Sequence, residues 1–322
     1  MDNPAKDNST PVMGIGACII GNPVRYNGDS KRANQHVKRI EQHFTLRSFC
    51  PEMGIGLGVP REPIRLVGEL PSPRAMDSDT QTKDYTHKLQ EYAASVLAQE
   101  PDMCGYVLVK GSPSCGYERV KRYNEKGNIE ARDGRGVFTS ALHAIDPLLP
   151  LEDDGRLNDP PLRESFICRA LVYHDWKMLL KQPVRTKDLI EFHSRHKYLL
   201  MAHDIKAFKQ AGKLLANAGR TNAHELAGEL ITLIMEGLSK APTRGGHTNA
   251  LQHVMGYLKR AISSRERQQL ASTIEDYQKG TIPLVVPITL LQHHFSNHPN
   301  GYIANQSFLQ PYPQALQLRN LI

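Results

Sequence analysis

Val12-Met13-Gly14-Ile15-Gly16-Ala17-Cys18 is a strand-like apolar run that ends on a thiol in a glycine-containing stretch. The design recurs twice. Phe44-Thr45-Leu46-Arg47-Ser48-Phe49 closes on Cys50, and Cys115 lies five residues past Tyr106-Val107-Leu108-Val109-Lys110. Between these runs the spacing turns helical. Ala33, Val37 and Ile40 share a face of residues 30–43, and Leu89, Tyr92, Ala93, Val96 and Leu97 make residues 84–99 amphipathic. Such alternation predicts a mostly parallel sheet with covering helices. Ligands gather at the carboxyl ends of parallel strands, so the three thiols are expected on one sheet edge.

This α/β rhythm fills residues 11–150. Residues 121–136 are polar and read as a loop near that edge, followed by a helix over 136–145. Residues 147–161 hold four prolines and open a linker with a bridging helix over 151–186; Cys168 and Trp176 lie on the helix expected at 162–180. Residues 187–322 read as an all-α domain, with helices at 187–218, 224–238, 248–262 and 264–279. Ser264 is the expected N-cap of the last of these, without a capping box. The tail from 282 carries five prolines and reads as irregular after one short helix.

A chain of 322 residues is long enough for two domains with separate cores. No apolar run approaches the roughly 20 residues of a membrane span, and residues 1–10 lack the pattern of a signal peptide, so the cytoplasm is expected. Five cysteines without an export signal argue for reduced thiols rather than a disulfide framework. The net charge of +7 is unevenly spread. Residues 1–183 hold 24 Lys+Arg and 24 Asp+Glu, against 16 and 9 in residues 184–322. A basic excess confined to one domain points to a polyanion such as nucleic acid, or to a solvated basic surface.

No CxxC pair or ferredoxin spacing is present, so the cysteine argument rests on position. Cys104 starts the strand leading to Cys115, which puts it at the opposite end, and Cys168 lies in an apolar helix; both read as buried hydrophobes. Ordinary reduced thiols and a metal site both satisfy the placement of Cys18, Cys50 and Cys115. Their neighbours favour chemistry. Cys50-Pro51-Glu52 sets a carboxylate beside one thiol, and Ser112-Pro113-Ser114-Cys115-Gly116 sets two hydroxyls beside another. An iron-sulfur cluster normally takes four cysteines, so three leave one iron open as a thiophilic Lewis acid. Glu52 then suits a general base toward water and Ser112 a group that holds or protonates the reacting atom, the alternatives being a loop salt bridge and an ST-turn.

Gly16-Ala17-Cys18-Ile19-Ile20-Gly21, Val24-Arg25-Tyr26-Asn27-Gly28, Cys50-Pro51-Glu52 through Gly56-Leu57 to Val59-Pro60-Arg61, and Ser112-Pro113-Ser114-Cys115-Gly116 together closely resemble the thiouracil desulfidase family. The resemblance spans about residues 11–150 and implies a Rossmann-like, mostly parallel sheet. It implies Cys18, Cys50 and Cys115 as ligands of a [4Fe-4S] cluster, Glu52 and Ser112 as catalytic residues, and Arg25, Tyr26, Asn27 and Ser114 as substrate contacts. The implied reaction is non-redox: the open iron takes the thiocarbonyl sulfur of a thiolated pyrimidine and water replaces it at the carbon. Asn27 stands where the family more often has Asp, which leaves a hydrogen-bonding role open there.

In the basic half, Arg195, Lys206, Lys209 and Lys213 fall within about 60° of one another on a continuous helix. His193, His196 and His203 lie on the same segment and read as packed or hydrogen-bonded rather than as a metal site. Phe192-His193-Ser194-Arg195-His196-Lys197, His247-Thr248-Asn249, Gln252-His253-Val254-Met255-Gly256-Tyr257, Ile282-Pro283-Leu284 with Pro287, Gln310-Pro311-Tyr312-Pro313 and Leu318-Arg319-Asn320 resemble the YbgA-type helical domain found with such desulfidases in bacteria. The combination resembles the tRNA 4-thiouridine desulfidases. It implies tRNA carrying 4-thiouridine as partner, no obligate protein partner, and Lys206, Lys209, Lys213 and Arg244 as phosphate contacts, although lysine and arginine on a helix face are often simply solvated. A desulfidase of free thiolated pyrimidines and a non-enzymatic iron-sulfur RNA-binding or sensor protein are the competing expectations.

Overall fold

β1 (Val12–Gly16) runs through the middle of a four-stranded sheet, which accounts for its composition: Met13 and Ile15 are wholly buried, and a Cβ on Gly14 would stand 2.3 Å from Cδ2 of Tyr106 on the next strand. The computed structural model describes residues 10–31, 35–220 and 222–313. They divide into two compact units, one ending at Asn158 and the other starting at Asp159.

In the first unit, β1 and a one-turn 3-10 helix (Ala17–Ile20) are followed by α1 (Gln35–Glu41), β2 (Thr45–Phe49), the one-turn α2 (Pro51–Gly54), β3 (Ile64–Val67) and β4 (Arg74–Asp77). Then come α3 (Thr86–Gln99), β5 (Met103–Leu108), β6 (Val120–Tyr123), β7 (Ile129–Gly134), α4 (Val137–Ile145) and β8 (Leu151–Asp153). The main sheet has the order β2-β1-β5-β8 and is parallel throughout. β1 connects toward β2 and β5 toward β8, so the direction of winding reverses between β1 and β5, the usual place for a ligand crevice.

A second sheet, β4-β3-β6-β7, joins two antiparallel pairs through the parallel pair β3 and β6. Leu66, Ala75, Leu89, Val120 and Val137 form its core, so α3 and α4 cover it. At about 1.5–3 kcal/mol for a fully buried aliphatic side chain, Leu66 and Leu89 anchor that layer. This sheet corrects the loop expected at 121–136. The hairpin was hidden because an arginine occupies its buried face: Arg122 pairs with Glu130 at 2.6 Å and Asp133 at 3.0 Å. Residues 151–153, expected in the linker, are the edge strand β8.

In the second unit, α5 (Pro160–Leu179), α6 (Thr186–His203), α7 (Ile205–Ala216), α8 (Ala223–Ser239), α9 (Arg244–Met255), α10 (Ser264–Lys279), α11 (Val285–Asn297) and the one-turn α12 (Gly301–Ala304) are all helical. α6 is central and packs on α5, α7, α8 and α9. The continuous helix expected at 187–218 is broken at Asp204, whose extended backbone and carboxylate, accepting from the amides of Lys206 and Ala207, cap a new helix. Arg195 therefore does not share a stripe with Lys206, Lys209 and Lys213. The N-cap of α10 is Ser263, with a full capping box: its hydroxyl accepts from the Glu266 amide at 3.3 Å, and its own amide donates to Glu266 Oε2 at 2.8 Å. The tail holds α11 and α12 rather than one short helix; residues 314–322, with the motif at 318–320, lie outside the described residues. Among the described residues no helix is long and apolar enough to cross a membrane.

Candidate active site

The carboxyl ends of β2, β1 and β5 are neighbours in the main sheet, and each delivers one thiol. Cys18 is the second residue of the 3-10 turn after β1, Cys50 follows β2 directly, and Cys115 sits on the loop after β5. All three line one cavity of about 270 Å³. Burial pushes the thiols of Cys18 and Cys50 up, and that of Cys115 up to about 12. At Cys18 the charge of Lys31 opposes this, and at Cys50 the Met53 amide does. The charged part of the wall is mainly cationic: Arg25, Lys31, Arg61 and Lys110 line it with Glu52 as the sole carboxylate among its described lining residues. Lys31 pairs with Asp154 at 2.9 Å.

Glu52 sits in the first turn of α2, held from both sides. Arg61 Nε donates to Oε2 at 2.7 Å, while its Nη1 donates to the Gly58 carbonyl at 2.7 Å and its Nη2 to the Val24 carbonyl at 2.8 Å. The Ser114 hydroxyl donates to Oε1 at 2.7 Å. Ser114 lies 2.9 Å from the Ser112 hydroxyl, which accepts from the Cys115 amide at 3.2 Å and the Cys115 thiol at 3.4 Å. A serine has one proton to donate. Ser114 gives its proton to Glu52, so Ser112 gives its own to Ser114, and the hydroxyls form a directed chain from Cys115 to the carboxylate. This loop has little slack. A Cβ on Gly136 would meet the Gly116 nitrogen and the Ser114 oxygen at 2.6 Å.

The expected residues are thus partly gathered. Cys18, Cys50, Cys115, Glu52, Ser112, Ser114, Arg25 and Tyr26 all line the cavity. Asn27 does not; it is exposed and bonds Asp29 through its side-chain amide. Arg61, Lys31 and Gly136 had no role assigned from sequence. An arginine nine residues after Glu52 in a Gly/Pro-rich loop was the available signal for the first; the others need the three-dimensional neighbourhood. In the other unit, Lys206, Lys209 and Lys213 are exposed along one face of α7. Arg244 is engaged: its Nη1 donates to the Tyr277 carbonyl at 3.0 Å and its guanidinium lies 5.1 Å from that ring. Arg195 is 3.4 Å from Asp175. His196 contacts Ser307 at 2.9 Å and His203 the Lys240 carbonyl at 2.8 Å, while burial pushes His193 down to about 4.

The family model described as 2-thiouracil desulfurase matches residues 13–154, the stretch that builds this cavity. The uncharacterised protein YbbK of Bacillus subtilis (strain 168) is 30% identical over 134 residues, 40% of this chain and 87% of YbbK. The chain belongs to the 2-thiouracil desulfurase family. Its desulfurase region is joined to a second one: a family model described as a protein of unknown function, DUF1722, matches residues 197–313. The uncharacterised protein YbgA of Escherichia coli (strain K12) is 28% identical over 158 residues, 49% of this chain and 94% of YbgA. A solved structure titled [4Fe-4S]-dependent thiouracil desulfidase TudS is 27% identical, with a TM-score of 0.40, over 48% of this chain and 97% of that one.

Proposed function

We propose that the chain is a tRNA 4-thiouridine desulfidase, returning the thiolated base to uridine with a [4Fe-4S] cluster held by Cys18, Cys50 and Cys115. The observation that carries this reading is one cavity that collects three thiols, with Cys115 joined to the Glu52 carboxylate through two hydroxyls. The donor set suits the group. Thiolates are the preferred ligands of iron-sulfur clusters, and the three thiols line one cavity. Cys104 is committed elsewhere, its thiol donating to the Val12 carbonyl at 3.1 Å, and Cys168 belongs to the other unit. Held by the thiolates of Cys18, Cys50 and Cys115, such a cluster would supply a thiophilic Lewis acid for the sulfur of the substrate.

The chain's own residues supply the rest. The carbon exchanges sulfur for the oxygen of water and the sulfur leaves as hydrosulfide, so no net electrons are transferred. Glu52 takes the proton of the incoming water, with Arg61 fixing Oε2 and the two serine hydroxyls leading to Oε1. Arg25 and the 43%-exposed Tyr26 stand at the cavity wall to hold the pyrimidine edge and face. Lys31 and Lys110 favour an anionic product. The basic excess after residue 184 supports RNA as the carrier, since an enzyme acting on a base in folded RNA must extract it and hold the phosphates. The reading puts the enzyme in the cytoplasm, where thiols stay reduced, and requires no protein partner.

The family description and the small cavity favour a second reading, in which the substrate is a free thiolated pyrimidine. Hydrosulfide release by the anaerobically reconstituted chain separates the two. Release from thiolated tRNA supports the first; release from 2-thiouracil alone overturns it.

A further inference from the structure

On the second unit, the turn that ends α9 carries Tyr257, 39% exposed and stacked on Tyr302 with ring centroids 5.5 Å apart and planes 22° from parallel. The pair is fixed by hydrogen bonds rather than left to rotate. The Tyr198 hydroxyl donates to that of Tyr257 at 3.0 Å, and the Ser194 hydroxyl to that of Tyr302 at 3.2 Å. Lys197 Nζ lies 5.0 Å from the Tyr302 centroid and 4.8 Å from that of Tyr198. Lys259 and Arg260 follow the turn directly and are exposed, and residues 251–263 contain no Asp or Glu. Tyr302 also lines a groove of about 910 Å³ that reaches Asn305, Gln306 and Arg195, with Asp175 and Glu191 in its wall. Gln306 is 4% exposed, and its Oε1 has no hydrogen-bond partner.

An exposed aromatic face, pinned in orientation, backed by Lys197 and followed in the chain by the exposed Lys259 and Arg260, has the chemistry of a stacking platform for an unpaired base. The desulfurase cavity makes no use of it. We propose that Tyr257, backed by Tyr302 and Lys197, is a shelf on which an unpaired nucleotide of the RNA substrate stacks, with the neighbouring groove taking the base edge of the adjoining nucleotide. The inference rests on the RNA reading above and adds to it the point of contact. Stacking accepts any base, so the shelf positions the RNA without selecting its sequence.

The test uses the reconstituted full chain and tRNA carrying 4-thiouridine. Tyr257→Ala raises KM for the tRNA by about tenfold, the size of one lost base stack, with kcat and cluster absorbance unchanged. Tyr257→Phe, which keeps the face but loses the hydrogen bond from Tyr198, raises KM much less than Tyr257→Ala does. The loss persists at high salt because stacking, unlike phosphate contact, releases no counterions. An unchanged KM in Tyr257→Ala, in a wild-type enzyme that does act on the tRNA, removes the shelf and leaves the RNA reading standing. A wild-type chain that neither binds nor turns over the tRNA removes the RNA reading, and the shelf with it.

Discussion

Replacing Arg61 by alanine probes the strongest electrostatic contact of the cavity. The guanidinium is 5% exposed and Glu52 13%, so the pair lies near the buried limit, where removing one partner strands the other. Such a break costs about 3–5 kcal/mol. The Val24 and Gly58 carbonyls lose their donors as well. For a unit of this size each kcal/mol is worth roughly 2–4 °C, so thermal unfolding of the first unit falls by roughly 10 °C. Activity falls further than stability explains. Without Arg61 only Ser114 orients the carboxylate, and a displacement of about 1 Å in a catalytic group costs about a hundredfold. Arg61→Lys keeps the charge but not the three-way fork, and lies between. The assay is hydrosulfide release at a temperature where both proteins are folded, with circular dichroism for the transition. An Arg61→Ala protein with wild-type turnover and midpoint would refute the idea that Arg61 positions Glu52.

Gly136→Ala forces a methyl group against the backbone of Ser114 and Gly116, so cluster content after reconstitution falls; normal content would mean the loop can yield. Asp77 is fully buried, and its carboxyl is held well below the ordinary range, first by the Thr80 hydroxyl and then by the amides of Lys83, Thr80 and Gln81. Its contribution is therefore complete above the unfolded carboxyl value of about 4 and is lost as pH falls toward the depressed folded value. Asp77→Asn destabilises the unit by about 2 kcal/mol at neutral pH and flattens its acid sensitivity, as read from denaturant midpoints against pH. Neutralising Lys206, Lys209 and Lys213 together lowers the slope of log affinity for tRNA against log salt by up to about 3, with no effect on cluster absorbance; an unchanged slope would mean that these lysines are only solvated.

Three of the four strands of the main sheet were legible because they obey simple rules; the three-residue β8 was too short to stand out from the linker. β1 is apolar throughout, β2 runs directly into Cys50, β5 is an apolar run that leads to the Cys115 loop, and their parallel pairing follows from the intervening helices. The cysteine edge followed from the same logic. The second sheet was not legible: Arg122 breaks the inward apolar alternation of β6, and Asp133 and Glu130 on its partner strand, with the Gly68 carbonyl, make that burial tolerable. The break at Asp204 was masked by helical periodicity on both sides, since a cap changes two residues while the pattern averages over many. Glu52 and Ser112 were visible as neighbours of thiols. Arg61 was visible only as part of a motif, because its contacts span 37 residues to Val24.

The central claim is that the strand-end thiols, Glu52 and the serine chain form one catalytic apparatus. Hydrosulfide release from tRNA carrying 4-thiouridine, by anaerobically reconstituted wild type and Glu52→Gln side by side, tests it most directly. The account predicts equal cluster absorbance in the two and a loss of turnover of about a hundredfold or more in Glu52→Gln, the scale of a general base. Equal turnover with equal cluster content would contradict it.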